Sequence, residues 1–222
     1  MINPMKYKEI KKDRELREYI ARGNEKLGVM GYTDHSEKHC ILVAERAGMI
    51  LKKFEYPEHT IELAKIAGFM HDIGNVVNRI DHAQSGAIMA FRILDKWGMD
   101  PADTALVVTA IGNHDEHTAF PVNAVSAALI LADKTDVRRS RVRQKPHAMF
   151  DIHDRVNYSV TESRVELNTE KHEFTEILTL DTAICPVLEY FEIFMERMLL
   201  CQKAAAHLGL SFRLRVNGQN IL

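Results

Sequence analysis

Three segments in the first two thirds of the chain are almost entirely apolar, and each ends at a histidine or an aspartate. Residues 61–70 precede His71 and Asp72, residues 104–112 precede His114, and residues 123–132 precede Asp133. A helix that is apolar on nearly all sides is a buried helix, and an unpaired charge at its buried end costs several kcal/mol. The charged residues at the three helix ends would all have a partner if they met at a bound metal ion.

The pattern up to about residue 150 is helical elsewhere as well. Residues 6–26 are predicted to form a charged amphipathic helix, and Asp34 is predicted to cap a helix that runs to about Phe54. Apolar residues recur at helical spacing between Asp81 and Trp97. We therefore predict a bundle of about six helices over residues 1–150.

The periodicity changes in the last third of the chain. Val156, Tyr158 and Val160 alternate with polar residues, residues 174–180 form a second candidate strand, and residues 210–216 alternate strictly. A long helix is predicted between them, over residues 184–207. The predicted fold class is mainly α, with a helical domain at 1–150 and a small C-terminal α+β unit at 151–222. The order in that unit is β-β-α-β, with an antiparallel sheet.

The composition narrows the class of protein. The chain has 222 residues, 46% of them hydrophobic, and a net charge of -2, which favours neither nucleic acid nor a membrane surface. Cys40, Cys185 and Cys201 form no CxxC pair, which argues against a zinc finger and favours a reducing cytoplasm. The N-terminus lacks the apolar core of a signal peptide, and no run reaches the roughly 18 apolar residues of a membrane span.

Six residues are candidate metal ligands: His39, His71, Asp72, His82, His114 and Asp133. Imidazole and carboxylate without thiolate suit iron, manganese, zinc, nickel or magnesium. Six ligands are more than one tetrahedral ion needs, and a carboxylate such as Asp72 can bridge two ions about 3.5–4 Å apart. The pattern predicts one or two divalent ions and leaves their identity open.

The order of these residues resembles the HD superfamily of metal-dependent phosphohydrolases over about residues 30–140. HDIG at positions 71–74 and ADKTD at positions 132–136 carry the resemblance. It implies an HD-type helical bundle in which His39, His71, Asp72 and Asp133 bind one metal, and His82 and His114 bind a second. It also implies that His71 and Asp72 are catalytic and that a metal-bound hydroxide attacks phosphorus. DHAQSGA at positions 81–87 looks like the members that hydrolyse dinucleoside polyphosphates.

Many members carry a lysine after HDIG, where this chain has Asn75. An amide brings no charge, so neutralisation of phosphate is expected from cationic residues elsewhere. The predicted substrate-binding residues are Asn75, Arg79, Lys134, Arg138 and His35. The expected activity is hydrolysis of a phosphoester or phosphoanhydride in a small phosphorylated molecule, with a nucleotide as the expected substrate.

Two other classes of function stay open from the sequence alone. One is a non-catalytic regulatory or scaffold protein that keeps the metal pocket as a sensor of metal or nucleotide. The other is an RNA-binding protein or nuclease, because a basic run extends from Arg138 to Lys145, although such runs are usually solvated faces. The apolar stripe of the last helix packs on the tail sheet, and its breadth leaves room for a homodimer contact.

Overall fold

The computed structural model describes residues 6–116, 118–143 and 151–222, and its first part is helical. The helices are α1 (Tyr7–Ile10), α2 (Arg14–Val29), α3 (Glu37–Lys53), α4 (Glu58–Met70), α5 (His82–Lys96), α6 (Pro101–Gly112) and α7 (Ala124–Lys134). Two 3₁₀ turns, Ile73–Val76 and Arg139–Arg141, lie in the connections. The helical bundle predicted for this part of the chain is confirmed.

The first two predicted helices differ from the structure in their bounds. Asp13 separates α1 from α2, since its Oδ1 accepts a hydrogen bond from the Leu16 backbone N–H at 2.8 Å and caps α2. The cap predicted at Asp34 is wrong, because α3 begins after Ser36. Asp34 instead accepts a hydrogen bond from the Ser36 hydroxyl at 2.7 Å.

The three apolar helices pack at the centre to different depths. α4 and α7 are buried along nearly their whole length, whereas α6 buries one face and leaves Leu106 37% exposed. Apolar composition therefore overstated the burial of α6. Gly68 allows α4 to approach α3 closely, since a Cβ there would lie 2.7 Å from the Cα of Ala44. This crossing brings the end of α4 beside the start of α3.

A second close approach joins the 3₁₀ turn Ile73–Val76 to α5. A Cβ on Gly74 would lie 2.0 Å from the carbonyl oxygen of His82 and 2.5 Å from the backbone nitrogen of Gly86, so glycine is required. The contact holds the first turn of α5 against the turn that follows His71 and Asp72.

The C-terminal part is a small α+β unit, as predicted. It contains α8 (Ile152–Ser159), β1 (Val160–Asn168), β2 (Glu173–Leu180), α9 (Val187–His207), β3 (Ser211–Val216) and β4 (Gln219–Asn220). The strands form one sheet in the order β1-β2-β3-β4. The prediction of a purely antiparallel sheet is wrong, because β2 and β3 run parallel. α9 supplies the crossover connection that a parallel pair needs.

The alternation of Val156, Tyr158 and Val160 was a misleading strand signal. Residues 152–159 form α8, and the first strand begins only at Val160. Asp151 starts this helix, since its Oδ1 accepts a hydrogen bond from the backbone N–H of Asp154 at 2.8 Å. The N-cap at Asp151 therefore favours a helix over Val156 and Tyr158, despite their alternation with polar residues.

α9 links the tail to the bundle, because it packs against α7 as well as against β3. The domain boundary at residue 150 stays a prediction, since residues 144–150 lie outside the described residues. None of the described helices has both the length and the apolar composition needed to cross a membrane. The three cysteines are buried free thiols.

Candidate metal centre

The six candidate ligands come from five places in the bundle and converge. His39 lies in the first turn of α3, His71 and Asp72 follow α4, His82 begins α5, His114 follows α6, and Asp133 lies in the last turn of α7. Their ligand atoms form three overlapping groups, each within 4.8 Å: His39 with His71 and Asp72, His71 with His114 and Asp133, and Asp72 with His82 and His114. The helix ends therefore meet as the sequence pattern predicted.

A hydrogen bond at Nδ1 orients each of the four imidazoles. The acceptors are the carbonyl oxygens of Gly68 for His71 at 2.8 Å, Arg79 for His82 at 3.0 Å and Ile111 for His114 at 2.6 Å, and Oδ2 of Asp136 for His39 at 2.7 Å. These oxygens only accept, so the hydrogen-bond network assigns the proton to Nδ1 in each ring. In a neutral ring this leaves a lone pair on Nε2.

The Nε2 atoms face one another in two pairs. His39 Nε2 lies 3.3 Å from His71 Nε2, and His82 Nε2 lies 3.2 Å from His114 Nε2. Two neutral rings at this distance would point two lone pairs at each other, so either a proton or a metal cation must lie between or beside them. Imidazoles fixed through Nδ1 by an oxygen acceptor, with Nε2 turned inward, are the usual arrangement of histidine ligands in metal sites.

The carboxylates extend into the same space. Asp72 Oδ2 lies 3.1 Å from His71 Nε2 and 3.5 Å from His39 Nε2, while Oδ1 lies 3.6 Å from His82 Nε2. The two oxygens of Asp72 therefore face different histidine pairs. Asp133 Oδ1 lies 3.3 Å from His39 Nε2.

This donor set fits divalent metal ions. Apart from the imidazoles of His71 and His39, buried Asp72 Oδ2 has no polar partner among the described residues, which a metal–ligand bond would explain. Burial raises the pKa of Asp72 and of Asp133, but His71 beside Asp72 and Lys134 beside Asp133 outweigh it and hold both values well below the usual range. Burial lowers the pKa of His71, but Asp72 and Asp133 outweigh it and raise the value to about 10, so without a metal ion Nε2 of His71 also carries a proton, which a bound metal ion would displace. Both acids are ionised, the form that binds metal.

A comparison of the sequence with known families identifies this unit. The profile of the HD domain matches residues 37–141, the segment that contains all six candidate ligands. These residues form an HD domain. HD domains bind divalent metals, and the clusters described above can hold them. Together the HD domain and its clusters support a metal-dependent hydrolase.

Two known proteins are similar to this chain. The chain is 26% identical to the uncharacterized protein MJ1020 of Methanocaldococcus jannaschii over 205 residues, which cover 82% of this chain and 79% of that protein. It is 28% identical to a predicted HD superfamily hydrolase from an uncultured Thermotogales bacterium, whose crystal structure gives a TM-score of 0.43. That match covers 60% of this chain and 75% of the other.

A cavity of about 480 Å³ lies beside the centre of the HD domain. Three predicted substrate-binding residues line it: His35, Arg79 and Lys134. Arg79 Nη1 is 3.3 Å from His82 Nε2, and its guanidinium lies 5.7 Å from the centre of the Tyr32 ring. Tail residues form the opposite wall, among them His153, Asn157, Phe194 and Arg197. Of the described tail residues, none belongs to the three ligand groups.

Asn75 contacts Asp72 and is not among the residues that line the cavity. Its Nδ2 donates to Asp72 Oδ1 at 2.8 Å and to the Asp72 carbonyl at 3.0 Å, and its Oδ1 accepts from Arg79 Nη1 at 3.4 Å. The amide is buried. It therefore orients Asp72, and its role in binding substrate stays a prediction.

Arg138 also lies outside the cavity lining. Its Nε and Nη2 pair with the carboxylate of Asp136, Nη2 at 3.0 Å, and the same carboxylate accepts from His39 Nδ1. Arg138 thus supports a ligand through Asp136, and this position does not favour contact with a phosphate. Sequence analysis missed the role of Asp136, although it is the last residue of the ADKTD motif.

The other described arginines of the basic run are held by the fold. Arg139 donates to the Tyr158 carbonyl, Arg141 to those of Asp34 at 3.0 Å and Asp136 at 2.9 Å, and Arg143 to those of Tyr32 and Asn24, both at 2.8 Å. These contacts favour a structural role over a nucleic-acid surface. Lys145 lies outside the described residues.

Sequence analysis also missed two residues of the cavity wall. Glu116 and Arg197 line the cavity and form an ion pair, with Arg197 Nε 2.8 Å from Glu116 Oε1. Lys134 Nζ lies 3.3 Å from Glu116 Oε2 and 2.8 Å from Asp133 Oδ2. A continuous line of charges therefore runs from the candidate ligand Asp133 to α9 of the tail.

Proposed function

We propose that the protein is a metal-dependent phosphohydrolase that cleaves a phosphoester or phosphoanhydride bond, with nucleotides as its substrate class. One observation carries the proposal: four inward-facing Nε2 atoms share one space with the carboxylates of Asp72 and Asp133. We assign His39, His71, Asp72 and Asp133 to one ion. His82 and His114 would hold a second, with Asp72 shared between the two.

Bound divalent ions supply an activated water and stabilise charge on a phosphoryl group. The residues of the chain hold the reacting groups in position. Asn75 orients Asp72 and Asp136 orients His39. Arg79 and Lys134 line the cavity, where charge-assisted hydrogen bonds to phosphate oxygens are the strong ones.

The cavity wall supports a nucleotide as the substrate. Its volume of about 480 Å³ lies in the usual range for small-molecule sites. Cations stand close to the HD centre, and Tyr32, Ile80 and Ile193 offer aromatic and apolar surface in the same wall. A phosphorylated molecule with a flat base would use both kinds of surface.

The test combines metal analysis with activity. The protein is purified without oxygen, its metal content is determined, and a panel of nucleotides is assayed with Mn²⁺, Fe²⁺, Co²⁺ or Mg²⁺. Asp72→Ala should lose metal and turnover together. Asp103→Ala is the matched control, because it removes a His59–Asp103 pair of 2.7 Å at the surface, outside the cavity lining.

Full metal content and activity in Asp72→Ala would refute the assignment. Tight nucleotide binding by a metal-loaded wild type that turns over none of the panel would favour the sensor or scaffold alternative.

We further propose a cytoplasmic location and a homodimer through the tail, where Leu188, Met195 and Leu199 of α9 are exposed. Sedimentation of wild type and Met195→Glu tests the dimer, which the variant should weaken.

A further inference from the structure

Arg197 brings a guanidinium from the tail into the wall of the HD-domain cavity. Its side chain is 22% exposed, and Nε donates to Glu116 Oε1 at 2.8 Å. The ring centre of Phe194 lies 4.2 Å from its guanidinium carbon. The side chain is therefore held on two sides, by a carboxylate and by an aromatic face.

Among the described residues, no hydrogen-bond acceptor contacts the two Nη groups of Arg197. Within residues 6–116, 118–143 and 151–222, Glu116 is the acid within ion-pairing distance of Arg197, and the bond uses Nε alone. A guanidinium offers five donors in a planar fork that matches a phosphate. Arg197 thus presents unused donors of fixed orientation to the cavity.

The charges beside Arg197 leave a positive surplus. Lys134 and Arg197 share the single carboxylate of Glu116. Asp133, the other partner of Lys134, belongs to the proposed ligand set. Within the group formed by Lys134, Glu116 and Arg197, two cations contact one carboxylate, which leaves one positive charge for an anionic ligand to balance.

The order of these side chains indicates where that ligand sits. Lys134 contacts Asp133 directly, whereas Arg197 lies one residue further out, on the far side of Glu116. A phosphoryl group at the centre would lie near Lys134. Arg197 would then meet a second anionic group of the same molecule.

We propose that Arg197 is a substrate-binding residue contributed by the tail, and that it recognises a second phosphoryl group next to the one that is hydrolysed. The inference rests on the proposed function and narrows it, because it selects substrates with at least two linked phosphoryl groups over monophosphates.

The test measures binding and turnover separately. The Mn²⁺-loaded protein is titrated calorimetrically with pyrophosphate and, in parallel, with inorganic phosphate. Arg197→Ala should weaken pyrophosphate binding about tenfold or more and change phosphate binding less than about twofold. Arg197→Lys keeps the positive charge but lacks the forked guanidinium, so it should give an intermediate loss of affinity for pyrophosphate. Metal content and circular dichroism should match the wild type in both variants.

Arg155→Ala is the matched control. It removes a tail arginine that pairs with Glu189 at 2.9 Å and does not line the cavity, so both affinities should stay unchanged. If Arg197→Ala destabilises the fold, Arg197→Lys alone decides the test. Three outcomes would each overturn the inference. Arg197→Ala could lose affinity equally for phosphate and pyrophosphate, it could lose affinity for neither, or the wild type could fail to bind pyrophosphate.

Kinetics separate this inference from the proposed function. In an active enzyme, Arg197→Ala should raise KM for a nucleoside diphosphate and leave KM for the monophosphate nearly unchanged. A wild type without phosphohydrolase activity whose pyrophosphate binding still depends on Arg197 would refute the function and retain the anion site. An active enzyme in which Arg197→Ala affects both substrates equally would retain the function and refute the site.

Discussion

The HD domain and the tail both bury carboxyl groups, and the two regions treat them in opposite ways. Asp72 and Asp133 lie among imidazoles and Lys134, which hold their pKa values well below the usual range despite burial. Glu176 lies on the inner face of β2 with neither oxygen hydrogen-bonded among the described residues. Burial raises the pKa of Glu176 to about 8, although Arg46 and Arg197 oppose the shift.

The difference separates a functional cluster from a structural one. A buried acid that stays ionised needs several donors or cations around it. A buried acid with few partners is neutral at pH 7 and packs like an amide. Burial of a carboxyl group therefore does not identify a site, whereas convergence of partners on it does.

We expect Gly74→Ala to have the largest effect on the HD centre. Its Cβ would overlap the backbone of His82 and Gly86, so the turn and α5 must separate and His82 must move. We expect a loss of about 3 kcal/mol or more in the free energy of unfolding, measured in urea, with reduced metal content.

The control for this variant is Gly112→Ala. Its Cβ would meet the Ala87 Cβ at 3.6 Å, an ordinary contact. We expect a change within about 1 kcal/mol. Equal stability of the two variants would show that the close approach at Gly74 does not hold the centre together.

Asp136→Asn tests whether the HD centre depends on the acceptor behind His39. An amide accepts the His39 Nδ1 hydrogen bond less strongly than a carboxylate, and it also loses the pairing with Arg138. We expect metal affinity to fall by about 10- to 100-fold, measured by competition with a chelator. The control Asp103→Asn should leave metal affinity unchanged. A metal affinity in Asp136→Asn equal to that of the wild type would contradict the proposed role of this acceptor.

Glu176→Gln tests the tail side of the comparison. The folded pKa of about 8 lies above the ordinary value of 4.5, so the folded protein binds this proton more tightly than the unfolded chain. The stabilisation is fully present below pH 4.5 and is lost as the pH rises towards 8. Between pH 4.5 and 8, we expect the free energy of unfolding of the variant to rise relative to that of the wild type by about 1.4 kcal/mol per pH unit.

Urea unfolding at pH 5.5, 6.5 and 7.5 measures that gain. Glu173→Gln is the control on the same strand, where the carboxylate pairs with Arg213 at 3.3 Å and is partly exposed. A difference between Glu176→Gln and wild type that does not change with pH would contradict the assignment of a neutral Glu176.

The smallest expected effect concerns the wall of the HD cavity. Arg79→Ala should raise KM or lower kcat/KM by about tenfold, which is roughly 1.4 kcal/mol, with metal content intact. Arg138→Ala, first expected to act in the same way, should instead follow Asp136→Asn, because Arg138 contacts Asp136 and not the cavity. Wild-type kinetics in Arg79→Ala would refute its role.

The convergence of the candidate ligands was predictable because each of them follows a local sequence signal. α4 and α7 are apolar all round, and a buried helix must satisfy any charge at its end, so His71, Asp72 and Asp133 stood out from their neighbours. The same reasoning failed where local signals compete. Val156 and Tyr158 alternate like a strand, yet the Asp151 cap makes them helical.

The pairing between distant segments could not be predicted. Glu116 and Arg197 are separated by 81 residues. From the sequence alone, Glu116 is an acid in a loop and Arg197 is a polar residue on the surface of a helix. The parallel pairing of β2 with β3 depends on how α9 packs across the sheet, which no two-residue period specifies.

The sequence by itself determined the helical bundle, the six candidate ligands and the α+β tail, since burial at helix ends and periodicity are encoded over a few residues. Tertiary structure alone decided which oxygen orients each imidazole, that Asn75 acts on Asp72, and that Arg197 reaches the HD cavity. These contacts depend on distances between elements, and a distance of 3 Å is set by packing rather than by spacing along the chain.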